Sequence, residues 1–348
     1  MSTTGSSNPA YVNARVRARR AALFSDDEYR KLARMGPAEI ARYMEESEYE
    51  REINELGARH SGVDLIEYAL NRNLAKHFNS LLDFSEGQLY SLIARYLRKF
   101  DAWNVKTILR GVYSEASREA VETDLIRAGE FDETLFDRLL EASTIEDVIS
   151  ALDGTIFGEP LEDAIEDFEE TGVLVPLENA VDRAFYEALL TDLPGGEAIG
   201  LYKEFLEAEI DFRNARNALR LARSSANIDP SEYFIEGGTL FDASDLDALV
   251  ANPEQLLTRI RDSSYGRELS EPLNELEAAD SLIEFEHALE AVLLKYSRRM
   301  GNVYPLSVCP VIAYILMKER EVENIRAIAR GREAGLSETE IEQELVIL

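Results

Sequence analysis

Along most of the chain, apolar residues return every three or four positions, the spacing that gathers them on one side of an α-helix. Between Tyr90 and Val112 the series Ile93, Tyr96, Leu97, Phe100, Trp103, Val105, Ile108, Leu109 and Val112 predicts one long amphipathic helix. Ser25 with Glu28, Ser85 with Gln88 and Ser337 with Glu340 have the spacing of capping boxes and predict helix starts. Breaks fall where proline and glycine gather, at Leu193 to Gly196, Glu236 to Gly238 and Gly301 to Pro305. No run alternates apolar and polar residues over a strand's length; Val173-Leu174-Val175-Pro176 comes nearest and is short. The expectation is an all-α fold.

One helical signature, Asn-x-Lys/Arg-x-x-x-Arg, occurs four times: Asn13 with Arg15 and Arg19, Asn104 with Lys106 and Arg110, Asn214 with Arg216 and Arg220, and Asn324 with Arg326 and Arg330. The last three begin 110 residues apart, and each follows an acid by three positions: Asp101, Asp211 and Glu321. A second pattern keeps its own phase, because Tyr49 to Ile53, Phe157 to Leu161 and Tyr265 to Leu269 lie 108 residues apart. A looser third pattern pairs Leu65 to Tyr68 with Leu282 to Phe285. Two unrelated motifs with nearly one period predict three diverged copies of a helical unit. The expected layout is a disordered leader over residues 1–9 and a helical domain over 10–348. Its copies run at about 10–111, 112–221 and 222–331, followed by a short C-terminal helix over 332–348. Copies of this kind stack because none buries its apolar face alone. Three copies related by rotation can close around a central hollow, although spacing alone does not require closure.

Within each signature the two bases stand four residues apart and share a face. One reading is that the asparagines and bases brace each copy against the next; the other is that the basic rows meet an acidic partner. Bracing is the more economical reading for a residue repeated in a repeat protein, and the two are compatible if the copies enclose a partner. The N-terminal Arg15, Arg17, Arg19 and Arg20 form the densest basic patch, which raises nucleic acid or anionic lipid as a partner. Against this, Tyr11, Val12, Val16, Leu23 and Phe24 supply an apolar stripe on the same segment.

Composition narrows the possibilities. With 348 residues and 45% hydrophobic content, the chain can bury a sizeable core and is not wholesale disordered. Its 67 acids outnumber 37 bases, of which only 7 are lysine, for a net charge of −30. Such acidity fits either a specific basic partner or solubility in a concentrated-salt cytoplasm, and the spread of acids along the chain favours the second. A surface of this sign repels nucleic acid, which needs a basic footprint. The single cysteine, Cys309, excludes an internal disulfide and fits a reducing cytoplasm. Set between Val308 and Pro310, it reads as a buried, inert thiol. Met1 to Ala10 has no apolar core, so no signal peptide is expected. The longest apolar run, Val303 to Met317, falls short of the ~20 residues a membrane span needs, and predicts a buried helix started by proline.

Catalytic signatures are missing. There is no phosphate loop of the form Gly-x-x-x-x-Gly-Lys-Ser/Thr, no Gly-x-Gly-x-x-Gly turn and no His-Glu-x-x-His. His60, His77 and His287 have no second ligand at metal spacing. Carboxylate pairs such as Glu169 with Glu170 and Glu207 with Glu209 carry no catalytic signal in so acidic a chain. The expectation is no activity alone, no cofactor, no metal and no direct nucleotide binding.

The opening Asn8-Pro9-Ala10-Tyr11-Val12-Asn13-Ala14-Arg15-Val16-Arg17, the signature helices and the threefold plan resemble the C subunits of the archaeal A-type ATP synthases, a family similar to the d subunits of the vacuolar ATPases. The resemblance covers about residues 8–348, through the order and spacing of its motifs rather than any single one. It implies a funnel of three similar helical units with a central cavity. It further implies a peripheral protein on the cytoplasmic face of the cell membrane, seated on the proteolipid ring and holding the foot of the central stalk. In that role it couples ion flow through the ring to ATP synthesis without a nucleotide site. With the acidity, the resemblance suggests a salt-accumulating archaeon. The signature residues carry over only as repeat-defining positions that are candidates for facing the cavity. The competing readings are a stand-alone helical-repeat scaffold for partner helices or peptides, and a carboxylate enzyme with a divalent metal.

Overall fold

The computed structural model describes residues 7–223, 229–279 and 282–346. Most of the expected leader, residues 1–6, lies outside the described residues, and Pro9 already opens the first helix. In chain order the helices are α1 (Pro9–Arg20), α2 (Asp26–Leu32), α3 (Pro37–Met44), α4 (Glu50–Leu56), α5 (Gly62–Asp83), α6 (Gly87–Tyr113), α7 (Arg118–Asp124), α8 (Glu133–Glu141) and α9 (Ile145–Ala151). They continue with α10 (Gly158–Thr171), α11 (Val175–Leu190), α12 (Glu197–Arg223), α13 (Ala243–Ala251), α14 (Pro253–Asp262), α15 (Ser270–Ala279), α16 (Leu282–Val303), α17 (Cys309–Glu333) and α18 (Glu338–Gln343). A short 3-10 turn, Pro230–Tyr233, precedes α13, and no strand occurs among the described residues. The chain divides into two compact lobes, one formed by Met1–Ser143 with Ser297–Leu348 and the other by Thr144–Tyr296.

In the first lobe α5 is the hub and packs against α3, α4, α6, α7 and α17. Its buried face carries Val63, Ile66, Leu70, Leu74, Phe78 and Leu81 at helical spacing, each worth about 1.5–3 kcal/mol in transfer from water. Asn73 and His77 lie on the same buried face. The Asn73 Nδ2 is satisfied there by donating to the Glu48 carbonyl at 2.8 Å and to Glu52 Oε2 at 2.9 Å. Only the later part of the apolar run Val303 to Met317 forms the expected buried helix: α17 opens at Cys309 with Pro310 in its first turn and Val311 to Ile315 all buried, whereas Val303 ends α16 and both it and Leu306 in the following loop are exposed. Cys309 is buried, and burial raises its thiol pKa.

Two of the three expected capping boxes are present, at Ser25 with Glu28 and Ser337 with Glu340. The third is not. The Ser85 hydroxyl donates instead to the Leu81 carbonyl and finishes α5, and α6 begins after Glu86. Trp103 also departs from expectation, being 47% exposed. Beyond Phe100 the buried face of α6 runs through Asp101, Asn104, Val105 and Ile108, which leaves position 103 outside it.

In the second lobe α9, α10, α11 and α12 pack in succession, and α12 is covered by α13 and α14. Phe212, Leu219, Leu246, Leu256, Ile260 and Phe285 belong to its core. The strand-like run at Val173 is a helix start: α11 begins at Val175 with Pro176 in the first turn, where a missing N–H costs nothing.

Candidate functional site

Three of the four signatures are placed alike. In α6, α12 and α17 the acid and the asparagine are buried, the first base is half-buried and the last is exposed. The asparagines do the same work. Asn104 Nδ2 donates to the Ile126 carbonyl at 2.8 Å while the Ile126 amide donates to Asn104 Oδ1 at 2.8 Å. Asn214 makes this double bond with Ile235, at 2.8 and 2.9 Å, and Asn324 with Val346, at 3.2 Å each way. Each amide thus satisfies a donor and an acceptor of a non-helical segment that would otherwise be buried unpaired. Only a side-chain amide offers both functions at this length.

The acids three residues earlier hold the next stretch of chain. Asp101 accepts the amides of Glu130 at 2.8 Å and Phe131 at 3.2 Å. Asp211 accepts the amides of Thr239 at 2.7 Å and Leu240 at 2.8 Å, and the Tyr265 hydroxyl at 3.2 Å. Burial pushes the Asp101 pKa up to about 7 against the lowering pull of the two amides, and raises that of Asp211 in the same way. Two glycines make room for these carboxylates. A Cβ on Gly129 would lie 2.0 Å from Asp101 Oδ1, and one on Gly238 would lie 2.2 Å from Asp211 Oδ1.

Glu321 holds a segment from the other end of the sequence. It accepts the Phe24 amide at 2.6 Å and the Tyr49 hydroxyl at 2.8 Å. Tyr49 and Tyr265 occupy the same place in the second sequence pattern, so the hydroxyl bond made within α12's surroundings recurs at α17 with the chain's N-terminal segment. Lys318 completes a buried cluster, donating to Glu321 Oε1 at 2.7 Å and to the Tyr49 hydroxyl at 2.9 Å. Burial lowers the Lys318 pKa, with Glu321 opposing, and holds that of Tyr49 well above its ordinary value, with Glu321 adding to the effect.

The signature bases divide by depth. Lys106, Arg216 and Arg326 are half-buried, and Arg326 donates to Asn71 Oδ1 at 2.7 Å. Burial lowers the pKa values of Arg216 and Arg326. Arg326 also lines a small cavity of about 120 Å³ with Leu74, Phe100, Trp103 and Val322. Arg110, Arg220 and Arg330 are exposed. Arg220 grips Glu286 with two bonds of 2.8 Å, and Arg330 grips Glu67 in the same two-pronged way.

The fourth signature, in α1, is placed differently. No acid precedes Asn13 by three residues, and Asn13 Nδ2 donates to the Ser307 carbonyl at 3.0 Å without the returning bond. Arg15 lies over the Tyr11 and Phe84 rings at 5.1 Å from each, and Arg19 donates to the His77 carbonyl at 2.9 Å. These contacts tie α1 to the loop before α17 and to α5.

Sequence reading did not single out the held segments. A signal existed, because the apolar pairs Leu125-Ile126, Phe234-Ile235 and Leu345-Val346 end 22, 21 and 22 residues after their asparagines. Gly129 and Gly238 likewise sit at matching places. Among the described residues no group of His, Cys, Asp and Glu is arranged to hold a metal ion.

A family model described as "ATP synthase (C/AC39) subunit" matches residues 12–344. The chain is 70% identical to the C subunit of the A-type ATP synthase of Haloferax volcanii over 348 residues, covering the whole of both chains. It is 60% identical to that of Halobacterium salinarum over 352 residues, again with full coverage of both. To that of Methanococcoides burtonii it is 37% identical, over 98% of this chain and 95% of the relative.

Proposed function

We propose, because the chain belongs to the ATP synthase (C/AC39) subunit family, that it is the coupling between the central stalk of the complex and its membrane proteolipid ring. A member of this family works with the other subunits of a rotary complex and is not a catalyst alone. No described helix is long and apolar enough to cross a membrane, so the attachment proposed is peripheral, on the cytoplasmic face and through the ring. In this reading three helical copies form a funnel whose hollow receives the stalk, and ion flow through the ring is passed on as rotation.

One observation carries the reading: the asparagine bond of α6, α12 and α17, made three times with the same geometry. A part that transmits torque without chemistry must resist bending, and buried, fully paired polar contacts are unforgiving of displacement. Bonds of that kind fix each signature helix to the segment after it. The outer bases, Arg220 with Glu286 and Arg330 with Glu67, add ion pairs on the exposed side. The remaining signature bases are candidates for the surfaces that meet the stalk or the ring.

The test is recovery of the tagged chain from gently solubilised membranes. Proteolipid and central-stalk subunits are expected to come with it in fixed proportion. Recovery with neither would end the coupling reading. Calorimetry with ATP is expected to show no binding at micromolar nucleotide.

A further inference from the structure

At the C-terminal end of α1 the first lobe has a half-open cavity of about 580 Å³ lined by Val16, Arg17, Arg20, Asn302, Pro305 and Pro310. Arg17 and Arg20 stand one turn apart on one wall. Elsewhere in this lobe arginines close on carboxylates of the chain, Arg34 on Glu338, Arg98 on Glu130 and Arg330 on Glu67. Among the described residues, none offers the guanidinium of Arg17 or Arg20 an ion pair or hydrogen bond. The two guanidiniums on this wall thus lack a counter-charge from the chain, although it carries 67 acids against 37 bases.

The opposite wall is held in shape. Asn13 donates to the Ser307 carbonyl at 3.0 Å, the Ser307 hydroxyl donates to the Tyr304 carbonyl at 2.7 Å, and the Cys309 amide donates back to that hydroxyl at 3.1 Å. Pro305 stiffens that loop, and Pro310 fixes the first turn of α17 that follows it. The loop also exposes Val303 and Leu306, which are 54% and 63% accessible. Arg298 lies four residues before Asn302 in α16 and shares its helical face. The combination is a preformed hollow with an unneutralised positive wall and an apolar lip.

We propose that this hollow is the docking surface for an acidic helix of another ATP synthase subunit, one carrying two carboxylates three or four residues apart. The inference rests on the coupling reading given above and assigns to it one of the interfaces. Carboxylates at that spacing lie one turn apart on a helix, the separation set by Arg17 and Arg20. Arginine pairs with carboxylate through two parallel bonds, and sheltering in a hollow protects such pairs where concentrated salt screens exposed ones. Val303 and Leu306 supply the apolar contact that flanks paired arginines at protein interfaces. An anionic membrane surface is the less fitting occupant, since the −30 charge of the chain opposes its approach to a broad negative sheet, whereas a single acidic helix meets only the local positive wall.

The experiment compares the full chain with Arg17→Ala/Arg20→Ala and Arg17→Glu/Arg20→Glu in molar potassium chloride. Binding is measured separately to the isolated membrane ring, to the soluble head-and-stalk assembly and to vesicles of anionic phospholipid. The reversal is expected to weaken binding to one of the two protein assemblies by ~10-fold or more and the alanine pair by less, with the other assembly and the circular dichroism unchanged. Variants that bind both assemblies as tightly as the wild type overturn the docking surface and leave the coupling reading standing. A reversal that unfolds, together with an alanine pair that binds normally, also overturns it. Vesicle binding by the wild type that the reversal abolishes replaces the acidic helix with a lipid surface. Wild-type protein that binds neither assembly overturns the coupling reading and the docking surface together.

Discussion

The side-chain amide of Asn104 and the backbone of Ile126 exchange two hydrogen bonds, each 2.8 Å long, inside a region closed to solvent. Replacing Asn104 by leucine, similar in size, leaves one buried N–H and one buried carbonyl without partners. Each costs ~1–3 kcal/mol, so the variant should lose about 2–6 kcal/mol against urea in concentrated salt. Asn104→Asp should do no better, because a carboxylate cannot donate to the Ile126 carbonyl. A stability loss below ~0.5 kcal/mol for both would mean the amide is incidental.

The two close glycines offer an independent probe of the acids. A methyl group at Gly238 would meet Asp211 Oδ1 at 2.2 Å and Cγ at 3.1 Å. Gly238→Ala must therefore push the carboxylate away from the Thr239 and Leu240 amides, at a cost of about 1–3 kcal/mol. The same change in an Asp211→Ala background should cost far less, and a double-mutant cycle measures the difference. Equal costs in both backgrounds would show that the glycine serves something else.

Burial, helped by the charges of Lys318, Arg19 and Lys76, lowers the His77 pKa to about 3, below the 6.5 of the free side chain. Its Nδ1 lies 2.6 Å from the Tyr314 hydroxyl, and Glu48 stands 4.0 Å from Nε2, at the outer limit of an ion pair. A depressed folded pKa contributes stability that is present above pH 6.5 and is lost as pH falls toward 3. Acidifying from pH 7 to pH 5 should cost about 2 kcal/mol through this residue alone, at about 1.36 kcal/mol per pH unit. Asp101 acts with the opposite sign, its raised pKa favouring the folded state below pH 3.8 and losing that effect as pH climbs to about 7. His77→Gln isolates the histidine: the difference in unfolding free energy between wild type and variant should slope with pH between about 6.5 and 5. A flat difference would count against a buried neutral ring.

Lys318 and Glu321 are 1% and 2% exposed, and neither has water to fall back on. Lys318→Met should cost about 3–5 kcal/mol by stranding the carboxylate. Lys318→Met with Glu321→Gln should recover much of that, since the glutamine is neutral, its oxygen can still accept from the Phe24 amide and its NH2 can donate to the Tyr49 hydroxyl. Melting temperatures of the single and double variants check this. A double variant worse than the single one would show that the pair is valued for its charge.

Salt should govern folding of the whole chain. With a net charge of −30 and relatives from halophilic archaea, self-repulsion grows as ionic strength falls. Dialysis from molar to millimolar salt should lower the melting temperature or unfold the protein, as followed by circular dichroism. An unchanged melting curve would remove salt adaptation as the reason for the acidity.

Helix content was legible because an amphipathic helix needs only its own periodicity, and α6 and α17 fall where apolar spacing put them. The signature residues were legible as a recurrence, but their partners were not. Asn104 meets Ile126, and Asn214 meets Ile235, in segments without regular structure, where backbone atoms do the bonding and the side chains are free to drift apart. Trp103 was misread because the acid and asparagine of the signature turn the buried face of α6 away from it. Ser85 failed as a cap because α6 starts one residue later, with Glu86 in the N-cap place, while the Ser85 hydroxyl turns back to the Leu81 carbonyl. Arg17 and Arg20 read as part of an arginine cluster like the others; only placement separates them from Arg15 and Arg19, which rest on rings and a carbonyl.

The Phe24 amide bonded to Glu321 waits for a residue 297 positions later. On the ribosome the N-terminal segment emerges first, yet the lobe it belongs to cannot be finished until Ser297–Leu348 has been made. The other lobe, Thr144–Tyr296, is one unbroken stretch and needs nothing synthesised after it. The order of completion therefore runs against the order of birth: the oldest part of the chain becomes native last. Throughout translation α1, α2 and α3 must wait without α17, with the apolar faces they turn to it bare to aggregation. A message truncated before Glu321 would yield a chain whose beginning, not merely its end, is unfinished, and a protease would find it there.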